Sequence, residues 1–272
     1  MLTQNYLALI SMSLDHTAGF VKHLASTCDE FLSGKLTILQ PEKGFRAGLD
    51  SVLLGSSVSP SGSSLLDLGS GVGVAALTAM AHNDQITAEL VDANAQMVEL
   101  ARQNIASNGM SGRANAFELD VTAEGKARAA AGLRVDHFSA VIANPPYFDM
   151  NAGTLATGEG RAKARHMPAQ DLDKWVRTAA ASAAPGGEVI FIYRADGLRD
   201  LLTSFQKRFG AVAALPIVPR AGKDATRILI RGIKGSRAPM ALLSPLILHG
   251  DKGREFLPNI DAIFRGSDRL HW

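Results

Sequence analysis

Between residues 63 and 233, short apolar runs alternate with stretches of helical spacing, and this alternation limits the fold more than any other feature. SSLLDLG (63–69) leads into VGVAALTAMAH, and ITAELVDA (86–93) into AQMVELARQNIASNG (95–109). AFELDV (116–121) precedes an Ala/Arg-rich segment, and FSAVIA (138–143) precedes DLDKWVRTAAASAAPGG (171–187). EVIFIYR (188–194) and the helical GLRDLLTSFQKRFG follow. AVAALPIV (211–218) and TRILIRGI (226–233) then come with no helix between them. Parallel neighbours need a crossover, usually a helix, so the pattern predicts an α/β fold with a mostly parallel sheet of seven strands. The closing pair predicts an antiparallel hairpin at one edge. Gly109 reads as a helix C-cap, and Pro-Gly-Gly at 185–187 as a helix stop.

The first strand–helix junction reads LLDLGSGVG (65–73). Gly69, Gly71 and Gly73 would let a ligand approach the backbone where a side chain would block it. The spacing is G-x-G-x-G. A dinucleotide fingerprint requires glycine or alanine at 74, where Val74 stands. Asp67, just ahead of the loop, repels a pyrophosphate and suits a cationic ligand or an amino group. Asp92, closing the second strand, stands where folds of this kind grip a ribose diol, and Asp120, closing the third, is in reach of an adenine amine. Each carboxylate alone also suits a helix N-cap or an Asx turn. Together with the glycine loop they converge on one crevice, which an adenosine-bearing cationic amino acid would fit.

Charge is uneven along the chain. Net charge is +2, yet residues 1–150 hold 9 Lys/Arg against 15 Asp/Glu, and residues 151–272 hold 19 against 11. A basic second half points to a polyanionic partner or to a solvated basic surface. Six basic residues against one acidic fall in VPRAGKDATRILIRGIKGSR (218–237), with Arg227 and Arg231 on one strand face. The single cysteine, Cys28, excludes an intrachain disulfide and points to a reducing compartment. The N-terminal apolar stretch is short, is broken by Ser and Asp and lacks a basic lead, so neither a signal peptide nor a membrane span is expected. Met12 would serve as a start as well as Met1. The expected location is cytoplasmic.

VIANPPYF (141–148) ends the fourth apolar run with an asparagine, two prolines and a tyrosine. With the glycine loop and its three aspartates, this tetrapeptide resembles the class I S-adenosylmethionine-dependent methyltransferases that modify a planar, conjugated nitrogen. LTILQPEKGFRAGLDSVLLGSSV (36–58), the Arg165–His166 pair, PGGEVIFIYRADGLRDLL and RILIRGIKG…LLSPLILH resemble the bacterial tRNA-Val (adenine-N6) methyltransferases. The similarity covers roughly residues 29–249. It implies a Rossmann-like class I methyltransferase fold with a leading segment at 1–60, a methyltransferase domain at 61–250 and a tail at 251–272, which reads as partly loose. It also implies S-adenosylmethionine as cofactor, a tRNA substrate and no metal.

An adenine N6 amine is a poor nucleophile because its lone pair is delocalised into the ring. By the resemblance, Asn144 accepts one N6 hydrogen and the Pro145 carbonyl the other, favouring a pyramidal nitrogen. The prolines fix φ and stiffen the loop, and Tyr147 offers a face for stacking an extruded base. Arg46 is expected near the methionine carboxylate of the cofactor, with Gln40, Phe45 and Asp50 in the same leading segment. Asp50 also suits a helix N-cap. Arg165, Arg220, Lys223, Arg227, Arg231 and Lys234 are the expected RNA-binding residues. Asn144 is equally compatible with a glutamine amide, as in release-factor methyltransferases, or a guanine amine. The remaining alternative is a non-catalytic cofactor- or RNA-binding module.

Overall fold

A computed structural model describes residues 25–44, 46–146 and 168–272. Its first element is an antiparallel hairpin of β1 (Ser26–Phe31) and β2 (Leu36–Pro41), a small sheet of its own. Helix α1 (Leu49–Ser56) follows. The alternating part then runs β3 (Ser64–Leu68), α2 (Val74–His82), β4 (Thr87–Asp92), α3 (Ala95–Ser107), β5 (Ala114–Glu118) and α4 (Gly125–Ala130). It continues with β6 (Phe138–Ala143), α5 (Ala169–Ser182), β7 (Ala183–Arg194), α6 (Leu198–Gln206), β8 (Phe209–Val218) and β9 (Arg227–Lys234).

These seven long strands pair in the order β5-β4-β3-β6-β7-β9-β8, with β9 alone antiparallel to both neighbours. The expected hairpin is therefore β8–β9. Two stubs absent from the sequence reading, β10 (Ala241–Leu242) and β11 (Leu246–Ile247), extend the edge by pairing parallel with β8. They are too short to show a period. The sheet is buried on both faces, which explains why its strands read as continuous apolar runs. On β6, Ala140 and Ile142 join the core under α1, α2 and α3, while Phe138, Val141 and Ala143 join the core under α5 and α6.

Three local readings change. The helix at 171–187 ends at Ser182, and Pro-Gly-Gly lies within β7 as a bulge. There Phe138 opposes Ala183 but Ala140 already opposes Glu188. Gly187 is needed because a Cβ would lie 2.8 Å from the Phe138 carbonyl oxygen. The third strand ends at Glu118, two residues before Asp120. The tail also packs. Helix α7 (Pro258–Phe264) buries Ile260 and Ile263, Leu270 N–H donates to the Ser56 carbonyl, and Trp272 Nε1 donates to that of Ser57. A few spaced apolar residues thus close over α1 in a segment whose composition looks loose.

Candidate active site

Strand β3 pairs with β4 on one side and with β6 on the other, so the chain reverses its direction of winding between β3 and β6. In open α/β sheets, ligands bind outside the carboxyl ends of the strands at such a switch point. The last β3–β6 pair is Leu68 with Ala143. The glycine loop and Asn144 therefore leave the sheet side by side.

All three loop glycines have positive φ, but only one faces open space. A Cβ on Gly69 would lie 2.4 Å from the Trp175 ring of α5, and one on Gly73 would lie 2.7 Å from Leu90. These two glycines admit neighbouring side chains rather than a ligand. Around Gly71 (φ +54°) nothing lies within 4 Å of that position. Ligand approach, expected at all three, is available at Gly71.

The three aspartates also divide. Asp67 is 2% exposed, and its Oδ2 accepts the Ala76 N–H of α2 at 3.2 Å, so it lies beneath the loop rather than on the crevice wall. Burial pushes its carboxyl up to about 8; the Ala76 N–H opposes the rise and the nearby Asp92 adds to it. The folded chain thus keeps a proton that the unfolded chain loses above about pH 4. Stability contributed by this group falls as pH rises from about 4 to 8. Asp67→Asn keeps an acceptor for Ala76 and removes the titration. Urea melts at pH 5 and pH 8 are expected to differ less in this variant than in the parent, and an equal difference would show that Asp67 does not titrate there.

Asp92 accepts the N–H groups of Gly71 at 2.9 Å and Asn94 at 2.8 Å, one on each oxygen. It ties the glycine loop to β4 and keeps lone pairs for further donors. Asp120 closes an Asx turn, its Oδ1 accepting from the Thr122 N–H and hydroxyl at 2.8 and 2.7 Å. It also borders a cavity of about 230 Å³ with Glu118, Leu119 and Arg128. The Leu119 N–H donates to the Asp92 carbonyl at 2.9 Å, which holds the two strand ends together. An open glycine, a carboxylate with spare lone pairs and a second carboxylate at a cavity fit a ligand with an amino-acid end, a ribose diol and an adenine.

Asn144 is partly exposed and Pro145 is buried. Asn144 lines a second cavity of about 350 Å³, together with Arg46, Asp50, Ser51, Thr226 and Arg227. Asp50 lies in the first turn of α1 without capping it, and pairs with Arg227 Nε at 2.9 Å. Arg46 is anchored to Asp29, to the Thr27 hydroxyl at 2.7 Å and to the Pro41 carbonyl at 3.0 Å. Gln40, buried, donates to Asp29 and accepts the Ala47 N–H, both at 2.8 Å. Phe45, Tyr147, Arg165 and His166 lie outside the described residues.

The basic residues do not form one exposed stripe. Arg220 donates to the Gly250 and Gly253 carbonyls. Arg231 lies 3.9 Å from Glu188, with its guanidinium carbon 4.6 Å from the Trp272 ring centroid. Lys234 is held by Asp136 and by the Ala180 and Ala183 carbonyls. Lys223 stands exposed on the β8–β9 turn. On the face they share, Arg227 pairs with Asp50 of α1 and Arg231 packs on Trp272, and both stay partly exposed.

The hairpin that anchors Arg46 is docked by two asparagines for which the sequence analysis gives no role. Asn104 accepts the Leu39 N–H at 2.7 Å and donates to the Leu39 and Val72 carbonyls at 3.0 Å each. One turn on, Asn108 brackets Thr37, accepting its N–H at 2.9 Å and donating to its carbonyl at 2.8 Å. An amide on α3 and another at its C-cap thus act as an edge strand for β2. Among the described residues no helix is long and apolar enough to cross a membrane, and no group of three or more His, Cys, Asp or Glu forms a metal site.

The family model "Methyltransferase small domain" matches residues 48–213. A tRNA1(Val) (adenine(37)-N6)-methyltransferase of Aeromonas hydrophila is 29% identical over 191 residues, covering 68% of this chain and 75% of that protein. Of a relative with the same name from a Flavobacteriaceae bacterium, 31% identical, the chain spans 48% of the length and the match 43% of this chain. A ribosomal RNA small subunit methyltransferase C of Klebsiella pneumoniae is 32% identical over 45% of this chain and 34% of that protein. Among solved structures, a "predicted O-methyltransferase" from Agrobacterium tumefaciens superposes with a TM-score of 0.69 at 31% identity, covering 81% of this chain and 98% of that one.

Proposed function

The chain belongs to the methyltransferase small domain family and is an S-adenosylmethionine-dependent methyltransferase, and from that premise we propose that it methylates adenine N6 in RNA, in tRNA-Val at the adenosine 3′ to the anticodon. The observation that carries the reading is the position of Asn144, beside the glycine loop at the switch point and on the wall of a cavity shared with two arginines. The names of the tRNA relatives support the substrate.

The cofactor supplies a methyl group on a sulfonium sulfur. Asp92 and Asp120 would hold its ribose and adenine, and Gly71 would leave room for its amino-acid end. The remaining work falls to the β6 loop. The Asn144 side-chain oxygen and the Pro145 carbonyl each accept one N6 hydrogen, turning the lone pair toward the glycine-loop side of the crevice. Pro145 and Pro146 hold these acceptors at fixed φ before substrate arrives. The methylated nitrogen is acidic enough to lose its extra proton to solvent, so no general base is required. Tyr147 would stack on the base. A loop adenosine is already partly unstacked, which makes its extrusion cheaper than that of a paired base.

A release-factor glutamine amide offers a similar NH₂. The test is incubation with labelled S-adenosylmethionine and total tRNA, ribosomal RNA or release factor, followed by mass spectrometry of the product. N6-methyladenosine in tRNA is expected. N2-methylguanosine in ribosomal RNA or methylglutamine in release factor would replace the reading.

Asp92→Ala is expected to weaken cofactor binding by about 1–3 kcal/mol, the loss of charge-assisted hydrogen bonds to a ribose together with a looser glycine loop. Calorimetry measures it. Unaltered affinity with reduced turnover would move Asp92 from the cofactor to the reaction.

A further inference from the structure

The geometry points to Arg46 and Arg227 as a clamp for the phosphate of the target nucleotide, closing on it while the base is held at Asn144; this deepens the RNA reading above and rests on it. Three separate parts of the chain supply the polar lining of the cavity: Arg46, Asp50 and Ser51 at the start of α1, Asn144 after β6, and Thr226 with Arg227 at the start of β9. Its volume of about 350 Å³ suits a single nucleotide, too small for a length of strand.

Both guanidinium groups are oriented in advance. Arg46 is fixed by Asp29, Thr27 and the Pro41 carbonyl. Arg227 is fixed by Asp50 through Nε and by the Thr226 carbonyl at 3.1 Å through Nη1. A guanidinium already held in place loses little freedom on binding, and its planar fork matches two phosphate oxygens. Each arginine also has its own carboxylate, so the four groups sum to no net charge. Such a site places a phosphate more than it attracts one, which is the usual role of phosphate contacts.

The competing anion is the α-carboxylate of the cofactor, the role the sequence resemblance implies for Arg46. The lining argues against it. None of Gly69, Gly71 and Gly73 borders this cavity. Strands β8 and β9, which supply Ile217 and Arg227, stand beyond β6 and β7 from Asp92. The anion held here therefore enters from the substrate side.

The experiment uses an anticodon stem-loop RNA carrying the substrate adenosine, with a neutral methylphosphonate replacing the phosphate on its 5′ or its 3′ side. With the parent protein, one of the two replacements raises KM about tenfold, the loss of one charge-assisted contact. In Arg46→Gln and Arg227→Gln, KM for the unmodified RNA is already raised, and the same replacement adds less than about twofold. Calorimetric affinity for S-adenosylmethionine stays at the parental value in both. Should the glutamine variants melt early, Arg227→Lys keeps a charge beside Asp50 but has no fork, and the penalty shrinks there too. Equal penalties in parent and variants overturn the clamp and leave the RNA reading standing. A tenfold loss of cofactor affinity overturns it by moving the anion to the cofactor. RNA that the parent does not methylate removes the reading itself, and the clamp with it.

Discussion

Gly71→Val leaves the chain folded and removes S-adenosylmethionine binding. The substituted residue would sit at φ +54°, where a β-branched side chain is strained by about 1–3 kcal/mol. That is tolerable in a core of this size, because no atom lies within 4 Å of the new Cβ. The isopropyl group then fills the space a ligand needs to reach the loop backbone. It also disturbs the N–H that Asp92 holds. Affinity should fall by more than about 100-fold, which calorimetry reads directly. Gly69→Val is the contrasting variant. Its side chain meets the Trp175 ring at 2.4 Å, so it lowers the melting temperature before any question of binding arises. Full affinity in a folded Gly71→Val would place the pocket elsewhere.

Those two glycines show what a sequence reveals and what it leaves hidden. The alternation of apolar runs and helices carries the seven long strands of the main sheet and the helices between them, because each is a local periodicity; the β1–β2 hairpin and the stubs β10 and β11 leave no such period. The glycine loop is legible for the same reason: a run of positive φ has to be written with glycine. Which glycine faces ligand depends on Trp175 and Leu90, and neither is marked in the sequence as a neighbour. The contact is made by the sheet, which brings α5 over the end of β3.

The surroundings of the basic residues are hidden in a related way. Alternation along β9 places Arg227 and Arg231 on one face, where α1 sets Asp50 against the first and Trp272 packs on the second. Charge composition reports how many cations a segment carries and says nothing of the carboxylates that long-range packing sets against them. Asp50 and Glu188 are those carboxylates, on α1 and β7. The Asn104–Asn108 dock of β2 was hidden likewise, since asparagine in a helix is ordinarily a weak residue rather than a strand mimic. The position of the crevice was readable because a glycine loop with positive φ demands a particular residue type. Side-chain pairing across the fold makes no such demand.

Asn144→Ala should lower turnover on the order of 10²–10³ while leaving both binding steps nearly unchanged. On the proposed reading the side-chain oxygen accepts an N6 hydrogen that becomes more acidic as the nitrogen pyramidalises, so the contact would tighten toward the transition state. An interaction of that kind is missed in rate rather than in affinity. On the proposed assignment the cofactor is held by Asp92, Asp120 and the space at Gly71, and its affinity should stay near the parental value. On the RNA reading, substrate affinity would rest mainly on phosphate contacts. The fold should hold as well, because Asn144 lies past the end of β6 and is partly exposed at the cavity. Asn144→Asp is the finer variant. Its carboxylate keeps an acceptor at the same position, so part of the activity should return. Single-turnover methylation at saturating cofactor separates these effects, since it reads the chemical step apart from product release. A parental rate in Asn144→Ala would mean that the β6 loop does not orient the amine, and that the reaction takes place away from the cavity it lines.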